Sequence, residues 1–404
     1  MVWPLLLFGE NGHDDETNHS VKSADEAAIE IVTTDSRLSE VVDAASRNPR
    51  VALDLESNGL HRYPEHICLV QLAAGGSVHL IDPLSLRDMS PLGWLLADSS
   101  IQKIMHSADY DVRSFDRDWG FRISNLFDTS ISAAFIGTDR LGLATVLEGQ
   151  LGIVLPKSKR LQRADWTVRP LSLDAQSYAA DDVLYLERLR DLLVSKLTDL
   201  GRLEWVEEEC VRQTSVTYRP RDPEWAFATM KGSRALDGDG LALLRSMYGF
   251  REEEAVRRNR PPFQVIQDSI LVEIAMDPRQ DLAKMKGLGR YGNGREGAGL
   301  RAAVRDGIEA APVVRPKPKN TGPRFSRSEG AASDARLRRL KEWRADLGKA
   351  LQLDLGLLWP AASLERLAGD PGSLDAELVS PEVRVWQRRE FGDSLRGFLA
   401  SLRE

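Results

Sequence analysis

The segment 51–57, Val-Ala-Leu-Asp-Leu-Glu-Ser, sets two carboxylates into an otherwise apolar strand. Period-2 alternation puts Asp54 and Glu56 on one face and Leu53 and Leu55 on the other. Like charges this close repel unless a cation lies between them, and an all-oxygen donor set of this kind suits Mg²⁺ or Mn²⁺. The plain alternative is a solvent-facing edge strand with two acids. Two more acidic groups stand where they could join the pair. In His106-Ser-Ala-Asp-Tyr-Asp111 a strand runs into a helix, so Asp109 or Asp111 can point back over the end of a sheet, unless the acid only caps the helix. In Tyr178-Ala-Ala-Asp-Asp182, Tyr178 and Asp182 share a helix face at i, i+4, and Asp181 faces elsewhere. Taken singly, a Tyr/Asp pair of this kind is more often a surface hydrogen bond than a catalytic pair. Asp128, just before Thr129, reads as a helix N-cap.

Groups so far apart in sequence need a sheet to gather them. The pattern predicts strands over 51–57, 67–74 and 78–82, the last two joined by Gly75-Gly76, a two-residue hairpin signal. Helix and strand then alternate: helix 91–97, strand 101–106, helix 108–119, strand 123–127, helices 129–136 and 141–151, and a long helix 173–197. An antiparallel meander followed by alternation predicts a mixed sheet flanked by helices. From residue 219 onward the pattern is purely helical. Four prolines (312, 316, 318 and 323) alternate with Arg315, Lys317 and Lys319, which predicts an extended basic linker. The helical stretches on either side of it repeat: a shift of 93 residues lays Leu244, Met247, Phe250 and Arg251 on Leu337, Leu340, Trp343 and Arg344. The same shift lays Ile274, Ala275, Asp277 and Pro278 on Leu367, Ala368, Asp370 and Pro371.

The chain has 404 residues, room for two to four domains without disulfide or metal staples. Cys68 and Cys210 are far apart and lack metal-ligand spacing, which disfavours a disulfide framework or a zinc site and fits a reducing, cytoplasmic setting. The apolar run 2–8 is too short for a signal segment, and no stretch approaches the ~18 apolar residues of a membrane span. A balance of 54 Lys+Arg against 61 Asp+Glu, net −7, disfavours wholesale nonspecific binding of nucleic acid. Position changes that conclusion. Residues 1–56 hold twelve acids and four bases, more than the whole deficit, whereas 309–344 hold ten bases and four acids. Lys157, Lys159, Arg160 and Arg163 form a basic run before the 173–197 helix, where they are expected to contact backbone phosphates.

Together Asp54-Leu-Glu56, His106 through Asp111, and Tyr178 through Asp182 resemble the three motifs of the DEDDy class of 3′–5′ exonucleases, most nearly the ribonuclease D family. The stretch from Leu155 through Arg163-Ala-Asp-Trp166 to Arg169-Pro-Leu-Ser172 is similar to that family's lead into its third motif. The resemblance selects Asp111 over Asp109 and Asp182 over Asp181. It implies a ribonuclease H-like α/β mixed-sheet domain over 28–205, after a loose tail 1–27. A connector 206–218 would follow. The helical blocks 219–311 and 333–404, on either side of linker 312–332, resemble HRDC domains. The second keeps Trp343-Arg344 but lacks the Lys231-Gly232 of the first.

The resemblance further implies hydrolysis of RNA from a free 3′-hydroxyl end, releasing nucleoside 5′-monophosphates. Two divalent ions ~3.5–4 Å apart would do this chemistry. Asp54, Glu56 and Asp182 would hold one and Asp54 with Asp111 the other, while Tyr178 orients or deprotonates the attacking water. A two-metal site leaves His106 a structural role. Transfer RNA precursors are the expected substrate, with no membrane and no obligate protein partner. A 3′–5′ DNA exonuclease shares these motifs, and a non-catalytic RNA-binding scaffold would be the reading of another class. The paired acids on one strand speak against the scaffold.

Overall fold

The computed structural model describes residues 28–156, 158–316 and 327–402. The tail 1–27, Lys157 and the Lys317 and Lys319 of the linker lie outside them. Sheet and helices begin at β1 (Ile29–Val32), α1 (Asp35–Ala45), β2 (Arg50–Ser57), β3 (Ile67–Ala74), β4 (Ser77–Ile81), α2 (Ser90–Ala97), β5 (Gln102–Met105), α3 (Asp109–Trp119) and β6 (Leu126–Asp128). Helices α4 (Thr129–Phe135), α5 (Leu143–Leu151), α6 (Leu173–Leu184), α7 (Leu186–Asp199) and α8 (Leu203–Thr214) complete this part. The strands form one sheet in the order β1-β4-β3-β2-β5-β6. The β2-β3-β4 meander is antiparallel; β1, β5 and β6 join parallel to their neighbours. The expected mixed sheet is present, and both hairpin glycines take the positive φ that such a turn needs, 57° and 82°.

Strand β2 lies in the interior of the sheet, and its alternation decides which core each residue joins. Val51, Leu53 and Leu55 enter a core under α1, α2 and α3. Ala52 enters the opposite core with α4 to α8, so Asp54 and Glu56 face the layer where α6 crosses β2, β3 and β4. The edge-strand alternative is thereby excluded.

Several elements differ from expectation. The predicted helix 173–197 is two helices, broken at Tyr185 (φ −102°, ψ −2°): α6 crosses β2, β3 and β4, and α7 continues over β2 and β5 against α4 and α5. Strand 123–127 shrinks to the three residues of β6. Residues 206–214, expected in a connector, are helical in α8, whose Trp205, Val206 and Cys210 are buried in the main core.

The remaining helices are α9 (Gly238–Arg258), α10 (Pro262–Val265), α11 (Asp268–Met276), α12 (Gly294–Glu309), α13 (Arg327–Leu351), α14 (Leu355–Leu358), α15 (Ala361–Gly369), α16 (Leu374–Leu378) and α17 (Val385–Ser401). The 93-residue shift carries α10 onto α14 and α11 onto α15, end for end. Backbone details repeat as well. Asn259 and Gln352 follow their helices with φ of 49° and 54°. Arg251 donates to the Ile266 carbonyl at 3.2 Å, and Arg344 to the Trp359 carbonyl at 3.0 Å.

The two blocks are nonetheless mounted differently. The first has a core of its own. The second shares the core of α4–α8: Trp386 stacks on Trp205 with centroids 4.5 Å apart, and Arg202 donates to the carbonyls of Phe135 and Leu351, both at 2.8 Å. Among the described residues no helix is long and apolar enough to cross a membrane, and both cysteines are free and buried.

Candidate active site

The first pair of acids is placed by the pleat of β2. Directly across from Asp54 on β3 stands Gln71, fully buried, with both amide atoms lacking a protein partner. The pairing register shifts between Glu56 and Ser57, so the strand is irregular where the second acid sits.

Asp111 comes from the first turn of α3. Ahead of it, Ser107 takes a φ of 61°, and Asp128 stabilises this turn. The Asp128 carboxylate accepts from Ser107 and Ala108 backbone N–H at 3.0 and 2.8 Å, and from Ser130 and Ile131 N–H at 2.8 and 3.2 Å. It therefore caps α4, as expected, and also fixes the turn that aims Asp111. Asp111 is buried, while Asp109 is exposed and pairs with Arg113 at 2.9 Å. His106 bridges Thr129 Oγ1 (2.8 Å) and the Leu141 carbonyl (2.7 Å), a structural arrangement.

Tyr178 and Asp182 ride on α6. Ser172 caps that helix, accepting from Ala175 N–H at 3.2 Å. The preceding segment is pinned by Arg169, which makes a two-pronged bond to Asp82 (2.6 and 2.8 Å) and donates to the carbonyls of Cys68 and Trp166. Trp166 packs its ring 6.2 Å from that of Tyr178.

The carboxylates perturb one another. Burial, and then the Asp111 charge, hold Asp54 well above the carboxylate range. Burial pushes Glu56 up to about 10, aided by Asp54, Asp182 and Asp111. Asp111 rises to about 7, through burial foremost. Asp182 is raised by burial and by Asp54 and Asp181, against a hydrogen bond with Tyr178 that favours its charged form. The Tyr178 hydroxyl is itself pushed up, by burial first and then by Asp182, Glu56 and Asp54. Three segments thus bring four carboxylates and one phenol into a single field with no cationic side chain among the causes.

That cluster fits a hard divalent cation: its donors are all oxygen, they repel one another, and Gln71 adds an unpartnered amide beside Asp54. Among the described residues no group of three or more acids, histidines or cysteines stands close enough together to hold a metal ion as it is.

The 3′–5′ exonuclease family profile matches residues 29–198, and the HRDC domain profile matches 240–304. The ribonuclease D of Gluconacetobacter diazotrophicus is 33% identical over 372 residues, 90% of this chain and 91% of its own length. The chain belongs to the ribonuclease D family. The Granulibacter bethesdensis ribonuclease D is 32% identical, with 90% of each chain covered. Escherichia coli RNase D, an exoribonuclease involved in structured RNA processing, superposes with a TM-score of 0.65 at 26% identity, over 92% of this chain and 98% of that one.

As a member of that family the chain is a 3′–5′ exoribonuclease, with an α/β exonuclease domain followed by a helical HRDC region, and it acts on RNA. The family's exonuclease domain depends on divalent metal. Of the expected RNA contacts, Lys159, Arg160 and Arg163 are exposed, and Arg160 meets Asp174 at 3.2 Å, a surface pair worth little. Lys157 lies outside the described residues. Sequence reasoning missed Gln71 and the second role of Asp128. Gln71 carried one signal, a lone amide inside an apolar strand.

Proposed function

We propose that Asp54, Glu56, Asp111 and Asp182 hold two divalent cations, Mg²⁺ or Mn²⁺, and that Tyr178 works beside them on the 3′ end of single-stranded RNA. The observation that carries this reading is the convergence of β2, α3 and α6, which brings Asp54, Asp111 and Asp182 near enough to Glu56 for each to raise its pKa. Two such ions, when bound, lower the pKa of the attacking water and neutralise charge on the leaving 3′ oxygen. The chain's own part is positional. Asp54 and Glu56 present oxygens from a strand that cannot shift without breaking two ladders. Asp111 completes the set from a helix start braced by Asp128, and the Tyr178 hydroxyl, fixed by Asp182, orients water for attack on the terminal phosphodiester. Nucleoside 5′-monophosphates leave.

Lys159, Arg160 and Arg163, ahead of α6, are placed to meet phosphates near the 3′ end. The repeated hydrogen bonds of the second helical block support its assignment as a second HRDC-type module. We assign the domains accordingly: nuclease 28–205 extended by α8, HRDC domain 219–311 with the start of the expected linker packed on it through Val313 and Arg315, and a second module that begins with α13 at residue 327, six residues before the expected 333. Trimming of transfer RNA precursors in the cytoplasm, without an obligate protein partner, is the physiological role this reading favours. The two reduced, buried thiols agree with that compartment.

Asp182→Ala should lower hydrolysis by at least ~100-fold while RNA affinity persists, and Tyr178→Phe should lower turnover with less effect on binding. Full activity in Asp182→Ala would refute the site. Matched RNA and DNA single strands given to the purified protein decide substrate class, and equal or faster loss of DNA would favour a DNA exonuclease.

A further inference from the structure

Directly after Glu56 the chain makes a loop, 58–66, whose two ends are tied together beside the catalytic cluster. Asn58 N–H donates to the His66 carbonyl at 3.1 Å, and the Asn58 side chain accepts from His66 N–H at 2.8 Å. Glu65 closes this neck further: it accepts from Ser57 Oγ at 3.0 Å, from Arg117 at 3.0 Å and from the Tyr110 hydroxyl, and Tyr110 also meets Ser57 Oγ at 2.6 Å. At Gly59 a Cβ would meet the Glu65 carboxylate, so a larger residue there would push that side chain out of the neck. The neck thus joins the residue after Glu56 to the residue before Asp111.

The tip of the same loop is gripped by the HRDC domain. Tyr63 donates its hydroxyl to Glu252 at 2.6 Å, and its N–H donates to the Asn259 side chain at 3.1 Å. Gln264 donates to the Leu60 carbonyl at 2.7 Å. On the other side His61 meets the Arg163 carbonyl at 2.7 Å and Arg62 pairs with Asp165 at 2.8 Å, reaching the segment that leads to Tyr178.

We propose that the HRDC domain is a positioning element of the catalytic centre: through Glu252, Asn259 and Gln264 it braces loop 58–66, and the loop neck fixes Glu56 and Asp111. This rests on the reading of those acids as catalytic. It separates two contributions of one domain. A surface that only binds RNA affects substrates long enough to touch it, whereas a brace affects the chemical step on every substrate, however short.

The test uses the full chain and a variant combining Tyr63→Phe, Asn259→Gly and Gln264→Ala. Glycine keeps the positive φ at 259 while deleting the acceptor. Turnover and KM are measured in saturating Mg²⁺ on the shortest RNA the wild type cleaves, a di- to tetranucleotide, and on a long single strand. The brace predicts a roughly three- to ten-fold lower kcat on both substrates at unchanged KM and unchanged melting temperature of the nuclease. Tyr63→Phe and Glu252→Ala should each lose the same part of that factor, and the double variant no more than either. Unchanged kcat on the short RNA, with a raised KM on the long one alone, would overturn the brace and leave an RNA-binding surface. Failure of the site assignment is separable, because it appears as undiminished hydrolysis in Asp182→Ala.

Discussion

At the scale of single residues, the buried polar groups around the cluster say more than the acids themselves. Gln71 is fully buried with neither amide atom satisfied, a condition that normally costs stability. Gln71→Met, similar in shape, should therefore raise stability by about 1 kcal/mol in a urea titration while turnover falls. Asp128 accepts four backbone N–H groups from two helix starts. Asp128→Ala should cost about 2–4 kcal/mol in the same titration and lower kcat, and Asp128→Asn, which keeps an acceptor oxygen, should recover part of both. The pairs Asp54/Glu56 and Tyr178/Asp182 were legible as candidates because their spacing can be read against one strand or one helix, whereas the choice of Asp111 over Asp109 came from the family resemblance. Gln71 and the Tyr63–Glu252 bond were not legible. Their meaning lies in a cross-strand register and in a contact 189 residues apart, which no local pattern encodes.

At the scale of elements, the strands of the meander were legible because alternation and a Gly-Gly turn mark them. Helix α8 was not, since its Glu-rich surface face resembles a solvated connector and its buried face is only Trp205, Val206 and Cys210. That face is the seat of the second helical block. Trp386→Ala, which removes the ring stacked on Trp205, should cost about 3–5 kcal/mol, and hydrogen exchange should quicken in α4 and α8 as well as in α17. The HRDC domain offers a test of pH instead. Arg257 foremost, with Arg258, holds Glu254 down to about 2, below its ordinary value of 4.5. A depressed carboxylate stabilises the fold above its unfolded pKa, and that contribution is lost as pH falls from about 4.5 toward 2. The stability gap between wild type and Glu254→Gln should be full at neutral pH and close across that interval in an acid titration.

At the scale of the whole molecule, the repeat was visible as a constant 93-residue offset, yet nothing in it foretold that one copy stands on its own core and the other merges with the nuclease. The sequence pattern of a helix face records that it is covered and not by what. The HRDC domain follows α8 directly, and the chain beyond it returns to dock on α8 through Trp386. The domain is thus anchored at both ends to the same body. Such double tethering keeps a detached domain near its seat at an effective concentration on the order of millimolar, so a handful of polar bonds around Tyr63 suffices to keep it seated. Cutting the chain between α12 and α13 should leave the second block bound yet weaken the seating of the HRDC domain. Faster hydrogen exchange in α9 and α10, at unchanged protection in α17, would register it. Connectivity thus shares the task of seating the domain: intramolecular rebinding does part of the work that area does between separate proteins.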